Sequence, residues 1–269
     1  MRKIIPLLSL FFATLSYGQK QESIADSIKK HQDVIVEECL NNCALKYNYV
    51  LNMKGWQECL DSGLKKDSTI AYLWQQKAMP YFKARKYEVG MDYLDKAVKY
   101  DKKEWLPYRA FIKCIFAKTY KEAIVDFEEC IQLYGNGYRM DHTYNFYMGL
   151  CYLQLNEYAK AENLFKEYND ELFKNRQGLE HPTALFYYGI SKYELYQYEE
   201  AIVLFDKALK IYPTLSDAKF YKAICLVRLG KKEEATKLLE EAKKEPKDGY
   251  FINEDNAVYE TYPYQVHWK

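Results

Sequence analysis

Residues 182–215 read PTALFYYGISKYELYQYEEAIVLFDKALKIYPTL, and the spacing within this stretch decides the fold. Leu185, Tyr188 and Gly189 share one face of a helical period, and so do Tyr198, Ala201, Phe205 and Ala208 further on. Pro182 can open the first run and Pro213 closes the second. The same step recurs in both directions, as Tyr87-Glu88-Val89-Gly90, Tyr120-Lys121-Glu122-Ala123, Tyr158-Ala159-Lys160-Ala161, Tyr198-Glu199-Glu200-Ala201 and Lys232-Glu233-Glu234-Ala235. The last residues of these steps are 33, 38, 40 and 34 positions apart, and each is followed four residues later by Leu94, Phe127, Phe165, Phe205 or Leu239. Two helical runs per period of about 34 residues describe stacked helix pairs. A small residue lets two backbones approach, a large apolar residue fills the space beside them, and neighbouring pairs complete each other's core.

From these residues the chain is identified as similar to tetratricopeptide repeat proteins. The resemblance covers 37–247 and is clearest from Pro182 onward, where Ser216 opens a unit carrying Ala223, Leu226, Gly230, Ala235, Leu239 and Ala242. Earlier units run over 142–168, 104–133 and 71–101. Two departures stand out. Phe111 occupies a place usually given to a small residue, which predicts looser packing. In a divergent first unit, 37–70, Trp56 replaces the small residue of the second helix, which predicts wider spacing. The resemblance implies an all-α, right-handed superhelical solenoid of antiparallel helix pairs, about six in number. Glycines at 135 and 137 predict a turn before a helix starting near Asp141 or His142, and the lengthened spacing around 171–182 predicts a long second helix that turns before Pro182.

The ends follow different rules. Arg2 and Lys3 precede the apolar stretch 4–15 and the small residues near Gly18, so 1–18 reads as an export signal. Residues 19–36 form a polar lead segment with a helix starting near Ser23. The chain is near neutrality, at +1 over 269 residues, which gives no pull toward nucleic acid. No segment after the signal is suited to span a membrane. Export and a composition rich in Lys, Tyr, Asn and Ile resemble exported proteins of the Bacteroidota and place the chain in the periplasm or outside the cell. The seven cysteines are then free to oxidise. Cys59 faces the helix carrying Cys39 and Cys43, so a Cys43–Cys59 or a Cys39–Cys59 bridge is open, while the remaining cysteines read as compact apolar residues.

The family resemblance implies that first helices line the inner face of the solenoid. The columns there are Gln75, Tyr108, Phe146, Phe186 and Phe220; Met79, Ile112, Leu150, Ile190 and Ile224; and Phe82, Ile115, Leu153, Tyr193 and Val227. They form an apolar, aromatic stripe, shared between core packing and an accessible groove. Tyr108, Phe146, Phe186, Tyr193 and Phe220 are the candidate protein-binding residues, and the basic set used to grip a C-terminal carboxylate is missing from these rows. The aromatic tail at 248–269 carries Tyr259, Tyr262, Tyr264 and Trp268. It reads as a cap on the last helix pair near Leu226, Leu238 and Leu239, with insertion into the chain's own groove or docking to another protein as alternatives.

No metal, nucleotide or nucleophile motif occurs, and His31, His142, His181 and His267 are scattered along the chain. No catalytic residue, metal or cofactor is expected. The expected role is a non-enzymatic scaffold or adaptor holding an envelope-associated or exported protein or peptide. The alternative is a structural subunit of an envelope assembly, docked through its flanks and tail.

Overall fold

The computed structural model describes residues 24–175, 178, 180–248, 252, 254 and 256–268. The expected export signal lies outside them. The described residues are mostly helical, in antiparallel pairs, and divide after Asp101 into two compact units. No helix among them is long and apolar enough to cross a membrane.

In the first unit, α1 covers residues 24–36 and continues through a π-helical turn at Glu37–Asn41. Residues 24–36 of the lead segment and the start of the first repeat are therefore one helix. After it come α2 (Met53–Lys66), α3 (Ala71–Lys83) and α4 (Tyr87–Tyr100). Asn52 caps α2 by accepting a hydrogen bond from the Gly55 amide at 2.9 Å. The bridge left open by the sequence is Cys43–Cys59, with Cα atoms 5.7 Å apart. Cys39 instead lies buried against Gly63, where there is no room for a Cβ. Trp56 is fully packed, and its place has a local reason. Pro80 inside α3 has no N–H to offer the Gln76 carbonyl. Trp56 Nε1 donates to that carbonyl at 3.2 Å, and Gln57 Nε2 donates to the adjacent Lys77 carbonyl at 3.1 Å. The bulky ring in the second helix thus repairs a proline gap in the next one.

The second unit contains α5 (Lys102–Ile112, extended by a π-helical turn at Lys113–Ala117), α6 (Tyr120–Tyr134), α7 (Tyr144–Gln154) and α8 (Tyr158–Asn175). It continues with α9 (Pro182–Glu194), α10 (Tyr198–Ile211), α11 (Ser216–Arg228) and α12 (Lys232–Ala242). The small-to-large contact repeats as the sequence predicts. A Cβ built on Gly149 would sit 2.7 Å from the Phe165 ring, and one on Gly189 would sit 2.6 Å from that of Phe205. Ala123, Ala161 and Ala201 are wholly buried. Phe111 does not loosen its pair: it is wholly buried, edge-on to Phe116 and Tyr147, just before the π-helical turn. Below it, Arg109 makes a two-pronged ion pair with buried Asp126 at 2.8 and 2.9 Å, joined by Lys113 at 2.9 Å.

Two connections refine the sequence reading. After Gly135 the chain forms a short antiparallel ladder, β1 (Tyr138–Arg139) with β2 (His142–Thr143), so α7 starts at Tyr144, just after the expected Asp141 or His142. Tyr147 donates its hydroxyl to the Arg139 carbonyl at 2.9 Å and holds this ladder down. The turns between paired helices also share one device. Arg85, Lys118, Asn156, Tyr196 and Gly230 all have left-handed backbone, with φ of 58°, 57°, 60°, 62° and 79°. Each lies five residues before the small residue of its second helix. Only Asn156 and Gly230 are residue types that advertise this conformation.

Gly189→Val should therefore destabilise the second unit by about 1–3 kcal/mol through overpacking against Phe205, measured as a lower urea midpoint with retained helicity. Reducing Cys43–Cys59, which closes a loop with a sequence separation of 16, should cost about 3 kcal/mol. That loss should appear in hydrogen exchange at α1 and α2 while α9–α12 remain protected.

Candidate functional site

The tail runs along the first-helix side of the second unit, meeting Lys118 after α5, His142 before α7, Tyr187 in α9 and Asp217 in α11. The row that meets it is Tyr147, Tyr187 and Tyr221, one residue beyond the expected column, of which Phe220 alone also reaches the tail. Tyr187 is wholly buried, and its hydroxyl donates to the Pro263 carbonyl at 2.9 Å. Burial pushes the Tyr187 and Tyr147 phenols well above their ordinary range, and neighbouring Tyr262 adds to this. Tyr262 itself is only 1% exposed. Tyr264 packs edge-on to Tyr221 at 5.8 Å and donates to Glu194 at 2.7 Å. Trp268 packs edge-on to Phe220 at 5.5 Å, and its Nε1 donates to Ser216 Oγ at 2.9 Å. Glu260 is ion-paired to Lys118 at 3.6 Å.

Asp217, wholly buried in the first turn of α11, organises the backbone of the tail. Its two carboxylate oxygens accept from the Ile252 amide at 2.8 Å and the Val266 amide at 2.6 Å. One side chain thus ties two distant points of the tail together. Burial raises the Asp217 carboxyl above its ordinary pKa, although the amides of Val266, Ile252 and Asp217 itself pull the other way. At the other end, His142 is wholly buried, stacked on Phe146 with ring centres 3.7 Å apart. Its Nε2 lies 2.8 Å from Glu254 Oε2 and its Nδ1 lies 2.8 Å from the Tyr168 hydroxyl. Burial alone would raise the Glu254 carboxyl, but the His142 hydrogen bond and charge, with the Thr183 hydroxyl, hold it below its ordinary pKa.

The sequence-predicted residues fall into different environments. Phe146 and Phe186 have no exposed surface: the first is enclosed by His142, Phe165, Tyr168 and Tyr187, the second by Tyr187, Phe205 and Tyr221. They are core residues rather than groove walls, and replacing either by Ser would open the core. Tyr108 is buried beneath the Arg139 guanidinium, 4.8 Å from its ring centre. Tyr193 is half-buried between Tyr198 and Tyr221, and Phe220 meets the tail. The cap placement needs correction. Leu226, Leu238 and Leu239 belong to a separate cluster with Ala223, Ala235 and Ile202. The contacts of Tyr262, Tyr264 and Trp268 described above lie on the first-helix face, because that face offers buried polar partners as well as rings. Tyr259 is half-buried and joins a turn in which its amide donates to the Asn256 carbonyl at 2.8 Å.

Cys39, Cys114, Cys130, Cys151 and Cys225 are buried thiols. Burial pushes Cys130 and Cys225 up to about 12, which keeps them protonated. The signal missed in the sequence was the tyrosine row at 147, 187 and 221, which repeats at the same spacing as the fold itself.

This architecture is that of a helical repeat of the tetratricopeptide type. Residues 193–250 match the family model described as tetratricopeptide repeat. A tetratricopeptide repeat protein from Parabacteroides merdae superposes with a TM-score of 0.62 at 16% identity, covering 80% of each chain. PilW, described as a widely conserved type IV pilus biogenesis factor, gives 0.59 at 16% identity over 81% of this chain and 93% of its own. YrrB, described as a TPR protein with an unusual peptide-binding site, gives 0.51 at 18% identity over 72% and 95%. No curated protein matches the chain.

Asp217→Asn should weaken tail docking, since it turns one of the two accepting oxygens into an NH2 donor facing a backbone N–H. The expected cost is about 1–3 kcal/mol, read as faster limited proteolysis between Asn256 and Gln265 and a melting temperature lowered by a few degrees.

Proposed function

We propose that this chain is a non-enzymatic protein-binding adaptor of the cell envelope, and that the first-helix face of its second unit is a seat for extended polypeptide. The observation that carries this reading is the manner in which the tail is held. Asp217 and Tyr187 take hold of its main chain at Ile252, Val266 and Pro263, while Phe220 and Tyr221 receive its rings. Main-chain hydrogen bonds supply affinity and side-chain pockets supply selectivity in peptide recognition generally. The tail is then the resident occupant, and a partner segment of similar aromatic and acidic character competes with it. The peptide-binding site of YrrB and the pilus-biogenesis role of PilW support the reading through fold alone. The envelope location rests on the leader at 1–18, and the Cys43–Cys59 bridge suits an oxidising compartment. The native protein should accordingly start at Gln19 by intact mass.

A second reading has its own support. The deep burial of Tyr262, Glu254 and Glu260 suits a tail that never leaves, in a structural subunit that uses other surfaces for assembly. The two readings separate in one experiment. A chain ending at Asp248 should rebind a labelled peptide of residues 251–268 saturably, by fluorescence anisotropy, and Asp217→Asn should weaken that binding about tenfold or more. A truncated chain that stays helical and fails to bind the peptide contradicts the adaptor reading.

A further inference from the structure

We propose that His142, His181 and Glu254 form a binding site for one divalent transition-metal ion, with Zn2+ the best match, which ties the tail to the starts of α7 and α9. One donor atom from each residue can be chosen so that all three lie within 4.8 Å of one another. Ligands around a tetrahedral Zn2+ stand about 3.3 Å apart, given metal–ligand bonds of about 2.0–2.1 Å. Only small side-chain adjustments therefore separate this cluster from a ligand set. Two imidazoles and one carboxylate suit Zn2+ and its neighbours rather than Ca2+ or Mg2+, which prefer all-oxygen shells.

The surroundings are those of a supported site. His142 is held on both sides, by the Phe146 ring 3.7 Å away and by the Tyr168 hydroxyl 2.8 Å from Nδ1, so that Nε2 is aimed at Glu254. Metal-bound histidines depend on such an outer partner for orientation. The His181 ring stands at right angles to that of His142, with centres 5.2 Å apart. A cleft lined by Asp141, His181, Thr183, Ile252 and Glu254 gives an entry path. It leaves a coordination position for water, and the exposed Asp141 carboxylate at its rim offsets the added positive charge. On binding, the cation replaces the hydrogen bond between His142 Nε2 and Glu254; any proton on Nε2 leaves to solvent or moves to Nδ1, and Nδ1–H then donates to the Tyr168 oxygen. Two of the ligands come from the helix face and one from the tail, so the ion closes a cross-link between them. This inference stands apart from whether the face receives a partner peptide.

The test uses the untagged chain, stripped with chelator and titrated with Zn2+ by calorimetry and with Co2+ by visible absorption. One saturable site per chain is expected, with Co2+ bands of low coordination number. His181→Ala and Glu254→Gln should each abolish the site, and Tyr168→Phe should weaken it about tenfold. Zn2+ should also slow proteolysis of residues 256–265 in the wild type and have no such effect in Glu254→Gln. Glu254→Gln decides if His181→Ala fails to fold, because it keeps the shape of the side chain. Absence of saturable binding overturns the proposal, as does wild-type affinity in Glu254→Gln, which would assign the ion to exposed His31 or His267.

Discussion

Everything in this fold depends on a side chain that is not there. At Gly90, Gly149 and Gly189 the backbone of one helix lies against the phenyl ring of its partner, Phe82, Phe165 or Phe205, at a distance that leaves no room for a methyl group. The contact fixes how closely the two helices of a pair approach, and that distance sets where the next pair can stack. Where the small residue is missing, the chain makes local amends. Trp56 finds a carbonyl left vacant by Pro80, and the pair containing Phe111 takes up a π-helical turn. The period survives both departures because the first is absorbed at the contact of α2 with α3 and the second within α5.

Stacked pairs present a face of first helices that is too apolar to be left in water. In the second unit the chain covers that face with its own tail, and the cover is more than hydrophobic. Burying Asp217, Glu254 and Glu260 would be costly if they were alone. Each instead meets a designated partner: two amides, a histidine and a lysine. Polar groups placed this way define a register for the tail that rings alone would not, since aromatic contacts tolerate sliding and a two-amide clamp does not.

Much of the architecture was legible in the sequence because helical periodicity and the small-to-large step are local, repeated signals. The pairs from Ala71 onward, the long α8 and the start of α9 at Pro182 all follow from spacing. The tail was not legible in the same way. Its aromatic residues announced burial but not the burying surface, because a segment without periodicity carries no record of its partner. His142 and Glu254 lie 112 residues apart, and nothing in the local sequence of either points to the other. The column expected to line a groove was displaced by one residue at Phe146 and Phe186, though not at Phe220, for a similar reason. Phe146 and Phe186 share the helix face with Tyr147 and Tyr187, and only the packing of neighbouring pairs decides which ring turns inward. The left-handed turns at Arg85, Lys118 and Tyr196 were hidden because tertiary packing imposes that conformation on residues that do not favour it.

The path of the tail also changes how the second unit should come apart. Stacked repeats ordinarily behave as a one-dimensional array in which each pair senses only its neighbours and the ends fray first. A segment that touches the turn after α5 at Lys118, β2 just before α7 at His142, α9 at Tyr187 and α11 at Asp217 adds a path of connectivity running across all of these pairs. Opening any one pair then forfeits contacts shared with the others. The array becomes a closed circuit, in which terminal fraying is suppressed and unfolding gains cooperativity at the expense of a longer average loop to close.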